Sequence, residues 1–228
     1  MRFSGKILGA TVSTTAGHWY MSIHVEVQQT TQENTGPILG VDVGIKELAI
    51  VSDGRRFENQ KPLTAQLKKL QKLQRKASKK QRGSKNRAKA NLKVARLHDE
   101  IACTREDAHH KLTTAIARTC RVIGLEDLHV KGMMKNRKLA RAMADAGLGQ
   151  LRIFFEKKMA GVNGQAVFVN RFYPSTKTCS GCGHVKKRMP LKYRTYICMK
   201  CGLTIDRDLN AAINLEREAR RMVRELAT

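Results

Sequence analysis

Apolar and polar residues alternate through residues 5–27, GKILGATVSTTAGHWYMSIHVEV, on both sides of Ala16-Gly17. That period predicts a β-hairpin. A polar linker, Gln28–Pro37, follows it. Ile38–Asp53, ILGVDVGIKELAIVSD, is a nearly continuous apolar run broken at Gly44. It predicts a buried strand, a tight turn and a second strand, with Asp53-Gly54 as the next turn. From Thr64 to about Thr119 there is no proline, and Leu67, Leu70, Leu73, Leu92, Leu97 and Ile101 recur at helical spacing. Two long helices joined at Gly83-Ser84 are expected, an αα-hairpin. Arg121–Leu125 reads as a strand ending at Glu126-Asp127, Asp145–Met159 as one helix and Ala166–Asn170 as a buried strand. Pro174–Ile205 forms a cysteine module, and Asp208–Leu226 a terminal helix.

Charge changes the picture most. The 228 residues carry 44 Lys and Arg against 19 Asp and Glu, a formal net charge of +25. A body so charged repels itself unless a polyanion neutralises it, and nucleic acid is the commonest one. The 41% hydrophobic content is sufficient for a packed core, which excludes a disordered basic tail. No stretch approaches the ~20 apolar residues that span a bilayer, and the first residues lack the apolar segment of a signal peptide. The six cysteines form two CxxC pairs plus Cys103 and Cys120, unlike a secreted disulfide framework. A cytoplasmic protein, associated with the nucleoid when bound to DNA and with no membrane partner, is expected.

The polar face of the helical pair carries Lys68, Lys69, Lys72, Arg75, Lys76, Lys79, Lys80, Arg82, Lys85, Arg87, Lys89, Lys93 and Arg96, with no acidic residue from Lys68 to Arg96. Solvated helix faces usually alternate charge sign to limit repulsion. A one-sign face reads instead as a track for phosphates.

Cys179-x-x-Cys182 and Cys198-x-x-Cys201 each precede a glycine, Gly183 and Gly202, suited to a knuckle turn that aims amides at sulfur. Four thiolates at this spacing predict a closed tetrahedral cage for one structural Zn²⁺, with no open position for catalysis. Four unligated cysteines or a redox pair are the alternatives, and the second motif argues against the redox role. Lys186, Lys187 and Arg188, with Lys192 and Arg194, lie on the loop of this module and add candidate nucleic-acid contacts.

Asp42 interrupts an apolar strand, Glu126 ends another, and Asp208 opens a helix in DRDLNAAINL. A buried unpaired carboxylate costs several kcal/mol, so each needs compensation. For Asp42 alone a salt bridge or a hydrogen-bonded turn would serve. Three acids on two strand ends and one helix start can also converge on cations, and hard carboxylate oxygens suit Mg²⁺. Two ions about 4 Å apart activate a water and stabilise the leaving oxygen of a phosphodiester. In a strongly basic protein that arrangement reads as a nuclease.

GVDVG (Gly40–Gly44), GLEDLHVKGM (Gly124–Met133), PSTKTCSGCG (Pro174–Gly183), CMKCG (Cys198–Gly202) and DRDLNAAINL (Asp206–Leu215), in this order, resemble the transposon-associated TnpB family, itself related to the type V CRISPR effectors. The resemblance implies an α/β fold: an RNase H-like, RuvC-type core with a zinc-ribbon insertion, a basic helical hairpin and an N-terminal β-hairpin remnant. It implies a wedge remnant over 1–36, a nuclease core over 37–173 that includes the basic hairpin 60–119, a ribbon over 174–205 and a terminal core helix over 206–228. By that pattern Asp42, Glu126 and Asp208, rather than Asp206, are the catalytic acids holding two Mg²⁺ ions. The family further implies a guide RNA and RNA-directed cleavage of target DNA.

Family members are normally longer, with a wedge and a recognition lobe ahead of the nuclease, and a second protein chain, a copy or a recognition subunit, is expected beside the RNA. The expected function is a metal-dependent, RNA-guided DNA endonuclease, minimal or partner-dependent. The alternatives are a non-cleaving regulator that binds guide RNA or DNA, and an unguided RuvC-like nuclease.

Overall fold

The computed structural model describes residues 5–27, 34–190 and 192–226. They divide into two compact units, and the division falls inside one helix, after Asp107. The first six residues of the expected linker Gln28–Pro37 lie outside the described residues.

The first unit contains residues 5–27 and 61–107. Strands β1 (Lys6–Thr15) and β2 (His18–Glu26) pair antiparallel, with Thr15 opposite His18. Ala16 and Gly17 both take positive φ, 51° and 78°, the turn whose twist matches that of the strands it joins. Helix α1 (Pro62–Ser78) begins two residues earlier than expected because Pro62, with no N–H to leave unpaired, suits its first turn. Helix α2 (Lys85–Ala117) is capped by Ser84, whose Oγ accepts from the Arg87 N–H at 3.2 Å. Gly83, at φ 77°, makes the bend between the two helices. Leu70, Leu97 and Ile101 form a small core with Leu63, Leu73 and Val94, while Leu67 stays partly exposed.

The second unit contains residues 34–60 and 108–226. Its strands are β3 (Ile38–Val43), β4 (Glu47–Val51), β5 (Arg56–Glu58), β6 (Val122–Glu126) and β7 (Gln165–Val169). They form one sheet in the order β5-β4-β3-β6-β7. β3, β6 and β7 run parallel, and β4 and β5 antiparallel. Helices α3 (Val130–Met133), α4 (Ala140–Ala146) and α5 (Leu148–Ala160) lie between β6 and β7 in the chain. The short β8 (Thr195–Ile197) and β9 (Thr204–Asp206) pair in the cysteine module, and α6 (Arg207–Glu225) ends the described chain. The fold is α/β, as the family resemblance implies.

The single helix expected over Asp145–Met159 is two. Gly147, at φ 61°, ends α4 through its N–H to the Met143 carbonyl at 3.0 Å and opens α5. β5 and α3 were not expected, since three or four residues carry no periodic signal.

The sheet sorts its residues by parity. Leu39, Val41, Ile123 and Leu125 enter the main core with Leu112 and Ile116 of α2 and Leu151, Phe155 and Met159 of α5. Ile38, Val122 and Val167 point to the other face, where Ala219 of α6 covers them. Because side chains alternate along a strand, Gly40 and Asp42 share that second face with Ile38, and Gly124 and Glu126 share it with Val122. Gly40 is paired with Gly124. A Cβ on Gly40 would stand 1.9 Å from the Ala212 carbonyl oxygen, and one on Gly124 would stand 2.6 Å from that of Leu215. The two glycines therefore make the bed in which α6 lies directly on the sheet.

Candidate active site and metal centre

The convergence of the three acids follows from this register. Val41 is opposite Leu125 on parallel neighbouring strands. One residue further on, Asp42 and Glu126 come level at the same end of the sheet, on strands about 4.8 Å apart. Helix α6 passes Gly40 at Ala212 and reaches Ala219 near Ile38 and Val122, so it runs antiparallel to β3. Asp208 lies four residues before Ala212, about 6 Å along the helix, and Asp42 lies two residues beyond Gly40, about 7 Å along the strand. The helix start thus meets the strand ends.

The electrostatics agree with that placement. Burial, then the Asp208 and Glu126 carboxylates, push the Asp42 carboxyl up to about 8, with Arg207 pulling the other way. Burial also raises Glu126. Asp208 is engaged by cations: Arg207 Nε and Nη2 donate to Oδ1 at 2.9 and 2.7 Å, and Arg194 Nη1 lies 3.5 Å from Oδ2. Asp206 plays a different part. It caps α6, its Oδ1 accepting from the Asp208 and Leu209 amides at 3.0 Å each. Despite its partial burial, those bonds and Arg56, 3.5 Å away, hold its carboxyl below the usual range.

Asp127, beside Glu126, binds Arg152 and, at 2.9 Å, Arg171. The Arg152 guanidinium lies 3.7 Å from the centre of the Phe168 ring on β7. This brace ties the end of β6 to α5 and to the chain after β7. Its arginines lie 25 and 44 residues from Asp127 and carry no periodicity, so no local pattern pairs them.

The four module cysteines come together. Their sulfurs all lie within 4.8 Å of one another, with Cys179–Cys201 and Cys182–Cys198 at 3.6 Å. A tetrahedron of Zn–S bonds of about 2.3 Å has edges of about 3.8 Å, so the cage fits a zinc ion. The amides of Cys201 and Lys200 point at the Cys198 sulfur and draw that thiol down to about 6. Cys201, although bonded by the Leu203 amide, is pushed up to about 12 by Cys182, Cys198 and Cys179. Four sulfurs so close resist becoming thiolates together unless a cation lies among them. Among the described residues this is the one group of three or more such ligands within 4.8 Å, a cluster able to bind a metal ion. Asp42, Glu126 and Asp208 are not such a group, and Asp208 is engaged by the two arginines.

Asparagines join the module to the helix. Asn210 Nδ2 donates to the Thr178 carbonyl at 2.7 Å, and its Oδ1 accepts from the Ser180 amide at 2.9 Å. One turn on, Asn214 Nδ2 donates to the Ser175 and Thr178 carbonyls at 2.8 and 2.7 Å, and Arg217 reaches Ser180 O at 2.7 Å. Both asparagines are fully buried. The available signal was two amides spaced i, i+4 on a face otherwise made of Ala211, Ala212, Leu215 and Ala219.

The basic residues fall into two groups. Lys68, Lys72, Arg75, Lys76 and Lys79, with Gln71, line one shallow surface along α1. Lys80, Arg82, Lys85, Lys89 and Lys93 are exposed as well. Three others have internal partners: Lys69 lies 3.8 Å from Glu100, Arg87 binds Lys80 O at 3.1 Å and Arg96 binds Ala16 O at 3.3 Å. In the module Lys187 and Arg188 are exposed, whereas Lys186 sits over the Tyr196 ring at 4.5 Å.

The family model OrfB_IS605, described as "Probable transposase", matches residues 22–137, about half of the chain. The Cas12f1-like TNB domain matches residues 149–215, which include all four module cysteines and Asp208. The chain belongs to the TnpB family.

Two TnpB relatives carry the description "Putative RNA-guided DNA endonuclease". One, from Streptomyces pristinaespiralis, is 40% identical over 200 residues, covering 88% of this chain and 50% of its own length. The other, InsQ of Escherichia coli K12, is 34% identical over 228 residues, covering 93% of this chain and 56% of its own. The chain therefore spans about half the length of these curated relatives. A Cas12f1 solved in complex with sgRNA and target DNA superposes with a TM-score of 0.55 at 19% identity, over 90% of this chain and 55% of that one, a likeness of fold.

Proposed function

We propose that this chain is a metal-dependent DNA endonuclease of RNase H-like, RuvC type, directed by a guide RNA. The observation that carries the reading is the register that brings Asp42 and Glu126 level on parallel strands and lays the Asp208 end of α6 across them. Asp42, Glu126 and Asp208 would hold the catalytic Mg²⁺ ions. Divalent ions bound there supply Lewis-acid stabilisation of the phosphate and a more acidic water. Arg207, fixed by its bonds to Asp208 and to the Tyr193 carbonyl at 3.4 Å, is a positioning residue for the Asp208 carboxylate. Arg194, half exposed beside the same carboxylate, is the cation this reading assigns to an incoming phosphate. The cysteine module is read as a zinc ribbon holding one structural Zn²⁺, inserted between the core, 37–173, and its terminal helix, 206–228.

Guide RNA and target DNA are the partners this reading requires, and the names of the relatives support it. A second protein chain beside the RNA is part of the same proposal. Exposed Leu8, Val12, Trp19 and Met21 on the two-stranded sheet of residues 5–27 favour one.

The test uses protein purified with its co-expressed RNA, the RNA being sequenced, and DNA bearing the complementary sequence. Cutting is expected only with Mg²⁺ and only on the matching DNA. Cutting that ignores the RNA would make the enzyme unguided. Tight RNA binding with no cutting would make the chain a regulator.

The α1 surface supplies a separate measurement. Each phosphate neutralised adds about −0.7 to −0.9 to the slope of log K against log salt. Replacing Lys68, Lys72, Lys76 and Lys79 together by Gln is expected to flatten that slope by about 3 without changing sequence preference. An unchanged slope would return this face to ordinary solvation.

A further inference from the structure

Phe172 is 85% exposed, yet the chain around it is fixed. The Asn170 side chain accepts from the Phe172 N–H at 2.9 Å, and the Tyr173 N–H donates to the Asn170 carbonyl at 2.9 Å, closing a turn. On one side Arg171 is tied to Asp127, the residue after Glu126. On the other the Tyr173 hydroxyl lies 3.4 Å from the Asn214 carbonyl of α6, and the Ser175 N–H bonds the Tyr173 carbonyl at 2.8 Å. The ring is held out from an anchored turn and contributes little to packing.

Its place in the fold gives it a use. Val169 is the ladder partner of Glu126. Phe172 follows three residues later, so no more than about 11 Å of chain separates it from the strand end that carries the acid. Its chain neighbours Asn170 and Arg171 are exposed and polar, so the ring is not continued by apolar residues along the chain before it. An exposed aromatic face on an anchored turn, in a strongly basic chain, suits the flat face of a nucleobase. Inside a duplex those faces are covered by neighbouring bases. Only an unpaired base offers one.

We infer that Phe172 is a stacking platform for an unpaired base of the DNA strand delivered to Asp42, Glu126 and Asp208. The inference rests on the reading of those acids as a nuclease site, but its test does not need cleavage. Binding of a short fluorescent oligo-dT and of a duplex of the same length is measured by anisotropy in EDTA. Phe172→Ala is expected to weaken single-strand binding about tenfold and leave duplex binding unchanged. Phe172→Trp should keep the affinity, its added emission quenched by the single strand beyond any change at Trp19. Phe172→Leu should behave like the alanine variant, since it keeps apolar area without a stacking face. Equal losses on both DNAs, full affinity in the leucine variant, or no loss in the alanine variant would each overturn the platform. If single-strand binding depends on Phe172 but no DNA is ever cut, the platform stands and the nuclease reading falls. If cutting proceeds while Phe172→Ala binds as the parent does, the reverse holds.

Discussion

Asp42→Ala, Glu126→Gln and Asp208→Ala are each expected to lower Mg²⁺-dependent DNA cleavage by about 10³-fold or more while nucleic-acid affinity holds or rises. A metal clamp supplies several kcal/mol to the transition state, and each 1.4 kcal/mol is roughly a factor of ten in rate. Affinity is spared because removing a carboxylate also removes a charge that repels phosphate. The same site makes a second expectation about pH. The Asp42 carboxyl stands at about 8, against an ordinary 3.8. A raised acid favours the folded state while protonated, so that contribution is present below the ordinary value and lost as pH climbs toward 8. A cation among the acids favours the deprotonated form. Thermal stabilisation by Mg²⁺ should therefore grow from about pH 6 to pH 8.5. Asp42→Asn should remove that growth. Cleavage surviving in all three variants, or a Mg²⁺ effect indifferent to pH, would sink the assignment.

Cys179→Ser or Cys198→Ser should abolish the one zinc per chain and the order of the module, and lower cleavage at least about tenfold, with far-UV circular dichroism mostly kept. Structural zinc contributes on the order of 10 kcal/mol to small isolated modules. The main core can outlast that loss, because Leu39, Val41, Ile123, Leu125, Phe155 and their neighbours include no residue of the module. Activity cannot be so insulated. Arg194 and the Tyr193 carbonyl, which hold Asp208 and Arg207, belong to the module. Asn210, Asn214 and Arg217 would also lose the acceptors and the amide that tie α6 to it. Elemental analysis finding iron, or zinc retained in both variants, would refute this.

The two expectations are linked through α6, which shows where local pattern ends and packing begins. The hairpin at Ala16-Gly17, the strands at Ile38 and Arg121, the helical pair about Gly83 and the CxxC spacing were all legible, because each is a contest among neighbours in the chain: period, turn chemistry, ligand spacing. Asp42 and Glu126 were legible as anomalies, charges at the ends of apolar runs, whose cost demands a partner that the run itself lacks. The break at Gly147 was not, since a left-handed glycine between two apolar helical turns leaves the periodicity nearly intact. Nor were the partners of Asp127 and the asparagines, or the approach of Arg194 to Asp208, which come from other parts of the chain. The sequence determined which groups had to be compensated and which sulfurs could share an ion. The tertiary structure decided how the acids meet, because only the pairing of Gly40 with Gly124 lets a helix backbone rest on the sheet, and only that contact sets Asp208 level with the strand ends.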